Sequence, residues 1–292
     1  MYQYRIHHRT TYTYDFPVSI SHHVTHLKPL THHNQTCKSF AINVTPKTEK
    51  IDTHIDFYDN AYQIFSLQER HKTLVIESNS VVEVHPIQLN LEHVQTTCDE
   101  VLKTIQNNLT RKDSEIIEYT FPTAMTPDFP EIQSFASSIF TPEKPYLTAL
   151  LEMLDVFKDE FEFDPKATDI YTPISETLKN RKGVCQDFAH TMIAALRSQG
   201  FAARYVSGYI LSHPPQGMKR LEGADASHAW VSVYLPQVGW IELDPTNRLI
   251  CNHEHISVAY GRDYSDVSMI KGAVTGGGKH MITVQVTVAP IS

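Results

Sequence analysis

The sequence predicts an α+β protein. An N-terminal antiparallel β-sandwich domain is expected over residues 1–88, a helical and proline-rich connector over 89–145, and a core over 146–292 in which helices pack on a small antiparallel sheet. Three observations carry this. Apolar residues alternate with a period of two up to about Pro86. The period then changes to three and four, the mark of half-buried helices, and returns to two after Gly200. At 292 residues the chain is long enough for two domains, and 41% hydrophobic with 20% charged residues is a globular composition.

In "YQYRIHHRTTYTYD" Tyr2, Tyr4, Ile6, His8, Thr10, Tyr12 and Tyr14 share one face of a strand, with Gln3, Arg5, His7, Arg9, Thr11 and Thr13 on the other. Further strands are expected at "KSFAINVTP", "AYQIFSLQ", "TLVIESN" and "SVVEVHP", with Pro, Asn and Asp in the breaks. Several short strands without helices favour an antiparallel sandwich. Val94, Cys98, Val101, Leu102, Ile105 and Leu109 then recur as a helical stripe. The prolines between Arg111 and Pro145 limit that stretch to short helices and a strap. Leu147, Leu150, Leu151, Leu154, Phe157 and Phe161 mark a helix starting at Tyr146, which Pro165 stops. Thr172 and Pro173 read as N-cap and first turn of a short helix running to about Lys179. In "RKGVCQDFAHTMIAALRSQG" Cys185, Phe188, Ala189, Met192 and Leu196 form one apolar side, and Gly200 supplies the stop. Strands follow at "ARYVSGYI", "HAWVSVYL" and "GWIELD", and "KHMITVQVTVAPI" closes the chain as a last strand.

Composition excludes several functions. Lys plus Arg is 25 against 33 for Asp plus Glu, a net charge of -8, and the densest basic stretches are the pairs Arg181-Lys182 and Lys219-Arg220. A nucleic-acid partner needs clustered basic residues and is not expected. No apolar run reaches the roughly 20 residues that span a bilayer, and the first residues lack the apolar region of a signal peptide. A cytoplasmic protein with no membrane partner is the expectation. Cys37, Cys98, Cys185 and Cys251 form no CxxC, which disfavours structural zinc. There are 17 histidines, and His22, His23, His26, His32 and His33 resemble a metal tract, but they fall on strand and loop with no acidic ligand pattern. "HEH" at His253 to His255 lacks the two-histidine helical spacing of a zinc protease. "GAVTGGGKH" departs from phosphate-loop spacing, with His280 where Ser or Thr belongs, and "GRDYSDV" lacks the acidic positions of a calcium loop. No metal and no cofactor are expected.

Cys185 stands where a glycine-marked turn becomes a helix. A thiol in the first turn meets unpaired N–H groups and the positive end of the helix dipole, and both favour the thiolate. Gly183 lets backbone or substrate approach. A nucleophilic thiol needs a base, and the base an orienting group. On "HAWVSVYL" His228, Trp230, Ser232 and Tyr234 point one way; on "GWIELD" Trp240, Glu242 and Asp244 share a face. A hairpin loop of Leu235, Pro236 and Gln237 sets Tyr234 opposite Val238 and His228 directly opposite Asp244. A slip of two keeps them diagonal on one face, whereas an odd slip separates them. Taken singly, each has a bland reading: a small core cysteine, a half-buried histidine beside Trp230, and a strand-ending aspartate in "DPTN".

"KGVCQDFAHTMIAALRSQGFAARYVSGYI" and "GADASHAWVSVYLPQVGWIELDPTN" resemble the core of the bacterial transglutaminase-like superfamily. "RTTYTYDFPVSISHHVTHLKPL" resembles that group's N-terminal β domain, and "YGRDYSDV" with the later triple glycine its C-terminal segment. The resemblance implies a papain-like, transglutaminase-like core with a catalytic-helix cysteine on a small antiparallel sheet. It also implies catalytic roles for Cys185, His228 and Asp244. Asp187 is expected to cap or brace the helix start, and the Cys185 backbone N–H to donate to an oxyanion. The expected partners are a peptide or protein substrate and an amine acyl acceptor, with hydrolysis and transfer both open. The alternative is a peptide-binding module that keeps the fold without the chemistry. The oligomeric state is not legible.

Overall fold

The computed structural model describes residues 1–86, 94–107, 114–169, 172–213, 223, 225 and 227–291. Five strands come first: β1 (Tyr2–Thr25), β2 (Gln35–Thr45), β3 (Ile51–Ile55), β4 (Ala61–Leu67) and β5 (His71–Val84). Four helices follow, α1 (Cys98–Asn107), α2 (Ser114–Glu118), α3 (Pro130–Ser137) and α4 (Tyr146–Glu160). Short β6 (Glu162–Phe163) and β7 (Lys182–Gly183) flank α5 (Ile174–Asn180) and lead into α6 (Cys185–Ser198). The core sheet is built from β8 (Ala203–Ile210), β9 (Ser227–Leu235), β10 (Gly239–Asp244), β11 (Leu249–Ile250) and β12 (His255–Gly261). The chain ends with α7 (Tyr264–Val267), β13 (Ile270–Gly276) and β14 (His280–Ile291).

The first strands form an antiparallel sheet, and alternation decides what faces inward: Tyr4, Ile6, His8, Thr10 and Tyr14 of β1 are buried. β1 changes partners along its length. Its first half lies between β5 and β14, its last residues between β4 and β13. One apolar cluster draws on both halves, from Tyr4, Val84 and Val286 to Val18, Phe65 and Leu67. The runs that the sequence separates at Asn79 and Ser80 are one strand, because both residues stay in register with β1, opposite His7 and Ile6. β3 escaped the sequence pattern for a physical reason: none of its side chains is buried, so it has no alternation to read. The last strands, β13 and β14, return to pair with β1.

The helices follow their stripes with local differences. Leu147, Leu150, Leu154, Phe157 and Phe161 are buried, while Leu151 is 40% exposed. α4 ends at Glu160 rather than near Pro165, because Phe161 turns extended and β6 pairs with β7. Pro173, not Thr172, occupies the N-cap of α5, and the Thr172 hydroxyl bonds to Asp169 instead. Leu109 lies outside the described residues. α6 is buried on nearly every side from Asp187 to Arg197, since it is enclosed by the core sheet and by α3 and α5. No helix among the described residues is long and apolar enough to cross a membrane.

The core sheet has the order β11-β10-β9-β8-β12 and is antiparallel throughout. Ala203, Tyr205, Ala229, Val231, Val233, Ile241 and Leu243 turn toward α6 and the other helices. Tyr209, Leu211, Ile256 and Val258 pack instead with the N-terminal sheet, so the two sheets share an apolar layer. Two side-chain amides stitch the same boundary. Gln35 donates to Ser257 O at 2.8 Å and accepts from Ser257 N–H at 2.9 Å. Asn60 does the same with Tyr260, at 2.7 and 2.8 Å. Each closes part of the free edge of β12, whose backbone groups would otherwise be left unpaired.

Candidate active site

Cys185 is the first residue of α6, half-buried, with extended Val184 before it. Asp187 holds this helix start. Its Oδ2 accepts from Val184 N–H at 2.8 Å and from the Thr168 hydroxyl at 2.6 Å. Burial pushes the Asp187 carboxyl up from its ordinary value, and the two donors work against that. Gly183 serves this carboxylate: a Cβ there would lie 2.8 Å from both Cβ and Oδ2 of Asp187. The close approach expected at Gly183 is therefore made by a side chain of the same chain.

His228 and Asp244 sit at the start of β9 and the end of β10. The register differs from the expected one by two residues: Leu235 pairs with Gly239 and Tyr234 with Trp240. The hairpin loop is Pro236, Gln237 and Val238, with Gln237 at φ 74 and a Val238 N–H bond to Leu235 O of 3.1 Å. His228 is thus diagonal to Asp244 rather than directly opposite. The shift is even, so both remain on one face, and His228 Nε2 reaches Asp244 Oδ2 at 2.7 Å. Both side chains are buried, at 7% and 0% exposure. Cys185 lies near the same imidazole. Burial disfavours the imidazolium, but Asp244 and Cys185 outweigh it and hold His228 at about 10.

Asp244 receives more than the histidine. Its Oδ1 accepts from the N–H groups of Thr246 (2.9 Å) and Asn247 (3.1 Å). Its Oδ2 also accepts from Asn247 Nδ2 at 2.7 Å and pairs with His255 Nε2 at 3.1 Å. Burial alone would raise the carboxyl, but His228 and His255 hold it well below the usual carboxylate range. Asn247 and His255 were not singled out in the sequence. The turn signal "DPTN" contains the first and the "HEH" stretch the second, yet neither motif shows which carboxylate they meet.

Trp230 lies beside His228, with ring centroids 5.9 Å apart. It is fully buried, and its indole N–H donates to Glu242 Oε2 at 2.8 Å, while Tyr260 donates to Oε1 at 2.7 Å. Gly208 makes the space, since a Cβ there would come 2.3 Å from the indole ring. Tyr209 is likewise interior, and its hydroxyl meets His8 Nδ1 at 3.1 Å. Trp240 is half-buried beneath the Arg204 guanidinium. Trp230 and Tyr209 are therefore packing residues rather than walls of a cleft.

Among the described residues one group has the donors to hold a metal ion, His228, Asp244 and His255, whose ligand atoms lie within 4.8 Å of one another. Both imidazole Nε2 atoms face the same carboxylate oxygen at hydrogen-bond distance, which requires protons on them rather than lone pairs. The chemistry of the cluster is that of an ion pair with added donors.

A β sheet followed by a helical layer on an antiparallel core sheet, with a cysteine at the head of a helix near a buried histidine–aspartate pair on the strands, defines the class of this molecule. The chain belongs to the bacterial transglutaminase-like superfamily. Residues 4–83 match the Bacterial transglutaminase-like N-terminal region, and residues 133–245 match the Transglutaminase-like superfamily core. An uncharacterized protein of Mycobacterium tuberculosis (strain ATCC 25618 / H37Rv) is 35% identical over 298 residues, covering 99% of this chain and 93% of that one. A protein-glutamine gamma-glutamyltransferase of Pseudomonas aeruginosa is 32% identical over 101 residues, 34% of this chain and 15% of that one. The crystal structure of a Cytophaga hutchinsonii protein, named a "Putative Cysteine Protease", superposes with a TM-score of 0.81 at 22% identity, over 100% of this chain and 91% of that one. That likeness shows the shared fold.

Proposed function

We propose that this chain is a thiol-dependent acyl-transfer enzyme acting on peptide or glutamine side-chain amides, with Cys185 as nucleophile, His228 as acid and base, and Asp244 as the orienting anion. One observation carries the reading: a half-buried cysteine at the head of a helix neighbours a buried imidazole whose Nε2 lies 2.7 Å from a fully buried carboxylate oxygen. In this scheme the Cys185 thiolate attacks the amide carbonyl carbon, and the Cys185 N–H donates to the oxyanion. The C–N bond then breaks as the imidazolium gives its proton to the departing amine, leaving a thioester. Water or an amine attacks the thioester, loses a proton to His228, and releases acid or new amide with the thiol restored. The resemblance to a protein-glutamine gamma-glutamyltransferase supports an amide acyl donor.

Intact-mass measurement tests this. Purified protein offered peptides and γ-glutamyl amides, with and without an added amine, is expected to show a thioester adduct that Cys185→Ala lacks while keeping its fold. Equal labelling of wild type and Cys185→Ala by a thiol-directed acyl probe would overturn the assignment and leave a binding module. Product mass separates hydrolysis from transfer.

A further inference from the structure

We infer that His255 is a positioning residue of this site, a second imidazole that fixes the Asp244 carboxylate beside His228. The inference rests on the acyl-transfer reading above and deepens it. His255 opens β12, and only Cys251–Glu254 separate it from β11, which pairs with the end of β10. That short connection carries its ring back to Asp244, where Nε2 lies 3.1 Å from Oδ2. His255 Nδ1 lies 3.3 Å from the Asn252 backbone N–H and 3.4 Å from Asn252 Oδ1, while the contact of Nε2 with a carboxylate oxygen places a proton on Nε2. The ring therefore donates its Nε2–H to Asp244.

The ring has no freedom to do otherwise. Its side chain is 2% exposed, and it meets the Trp230 indole edge-on at 5.2 Å and 81°. That indole is itself tied to Glu242. With His255 in place the carboxylate has five donors: Thr246 N, Asn247 N, Asn247 Nδ2, His228 Nε2 and His255 Nε2. An ionised carboxylate offers about four lone-pair sites. The acceptor is saturated, so Asp244 can neither swing away nor take the imidazolium's proton. The titratable groups around the pair are Cys185 from α6, His255 from β12, and Glu242 with Cys251 behind the carboxylate.

The rate of Cys185 alkylation by iodoacetamide against pH reads the thiolate–imidazolium pair without a known substrate. His255→Gln keeps an N–H donor of suitable reach, and His255→Met has nearly the same volume without one. His255→Met is expected to slow alkylation at neutral pH roughly tenfold and move the basic limb about one pH unit down, with His255→Gln within about twofold of wild type. A basic limb in His255→Met that stays in place or moves up overturns the proposal. If His255→Met does not fold, nitrogen-15 chemical shifts of the wild-type ring decide: an Nε2 without a proton overturns it, a proton on Nε2 supports it. A wild-type thiol with the pH profile of a free cysteine instead overturns the acyl-transfer reading itself, and the inference with it. An ion-pair profile unchanged by His255→Met overturns the inference alone.

Discussion

Gly183 and Asp187 act as a matched pair at the head of α6. The carboxylate satisfies a helix-start N–H and a hydroxyl, and the missing Cβ of Gly183 gives it room. Asp187→Ala should therefore cost about 1–2 kcal/mol, the usual loss of a helix cap plus an unpaired buried group. Gly183→Ala should cost at least as much, because its methyl meets Cβ of residue 187 as well as the carboxylate. Urea unfolding of both variants checks the order. A milder effect at Gly183 would mean that the glycine is not there to make room. Residues that act through a near neighbour, such as Asp187 three positions after Val184, are legible in sequence because helix geometry fixes the partner. His255 and Asn247 are not, since each meets Asp244 across a turn whose path the sequence leaves open.

Among the elements, the β9–β10 hairpin shows what a pattern can and cannot determine. Alternation places His228 and Asp244 on the same face whatever the even register, because side chains on a strand repeat every two residues. The loop length needs more: Leu235 is apolar and buried, so it continues the strand instead of turning, and the turn starts one residue later, at Pro236. That turn leaves Gln237 in the left-handed region at φ 74. A side chain there is strained by about 1 kcal/mol relative to glycine. Gln237→Gly should raise the urea midpoint, by an unfolding free energy of about 0.5–1 kcal/mol, and leave Cys185 alkylation unchanged, since the register and the His228–Asp244 distance are held by the flanking pairs. A lower midpoint would show that the left-handed conformation carries no strain. The same limit explains β13 and β14. Their strand character is visible in part, but the partner, β1, lies at the other end of the chain, and alternation says nothing about which strand is paired.

At the scale of the whole molecule, three histidines set the acid limit. His8, His23 and His190 are buried, and burial lowers each from its ordinary value to about 4. Their surroundings are built for neutral rings. His8 bonds Thr10 at 2.8 Å and Tyr209 at 3.1 Å, joining the two sheets, and His190 accepts from Tyr264 N–H at 3.1 Å. His23 lies against Phe65, and neither of its ring nitrogens has a partner among the described residues. Unfolding releases these rings to values near 6.5, so between about pH 4 and 6.5 the unfolded chain binds more protons than the folded one. Stability must then rise with pH across that window. It is fully present above about 6.5 and lost on acidification, by up to about 3 kcal/mol for each ring. His228 has the opposite sign: raised to about 10, it contributes stability that is complete below about 6.5 and fades as pH climbs toward 10, so it does not offset the acid loss. Unfolding midpoints in urea at pH 7.5 and pH 5 should show the fall. His23→Phe, which keeps the stacked ring and removes the titrating nitrogens, should shrink it by about one third. An unchanged pH dependence in that variant would mean that His23 is not neutral in the folded protein, and that protons reach the sheet interior before it opens.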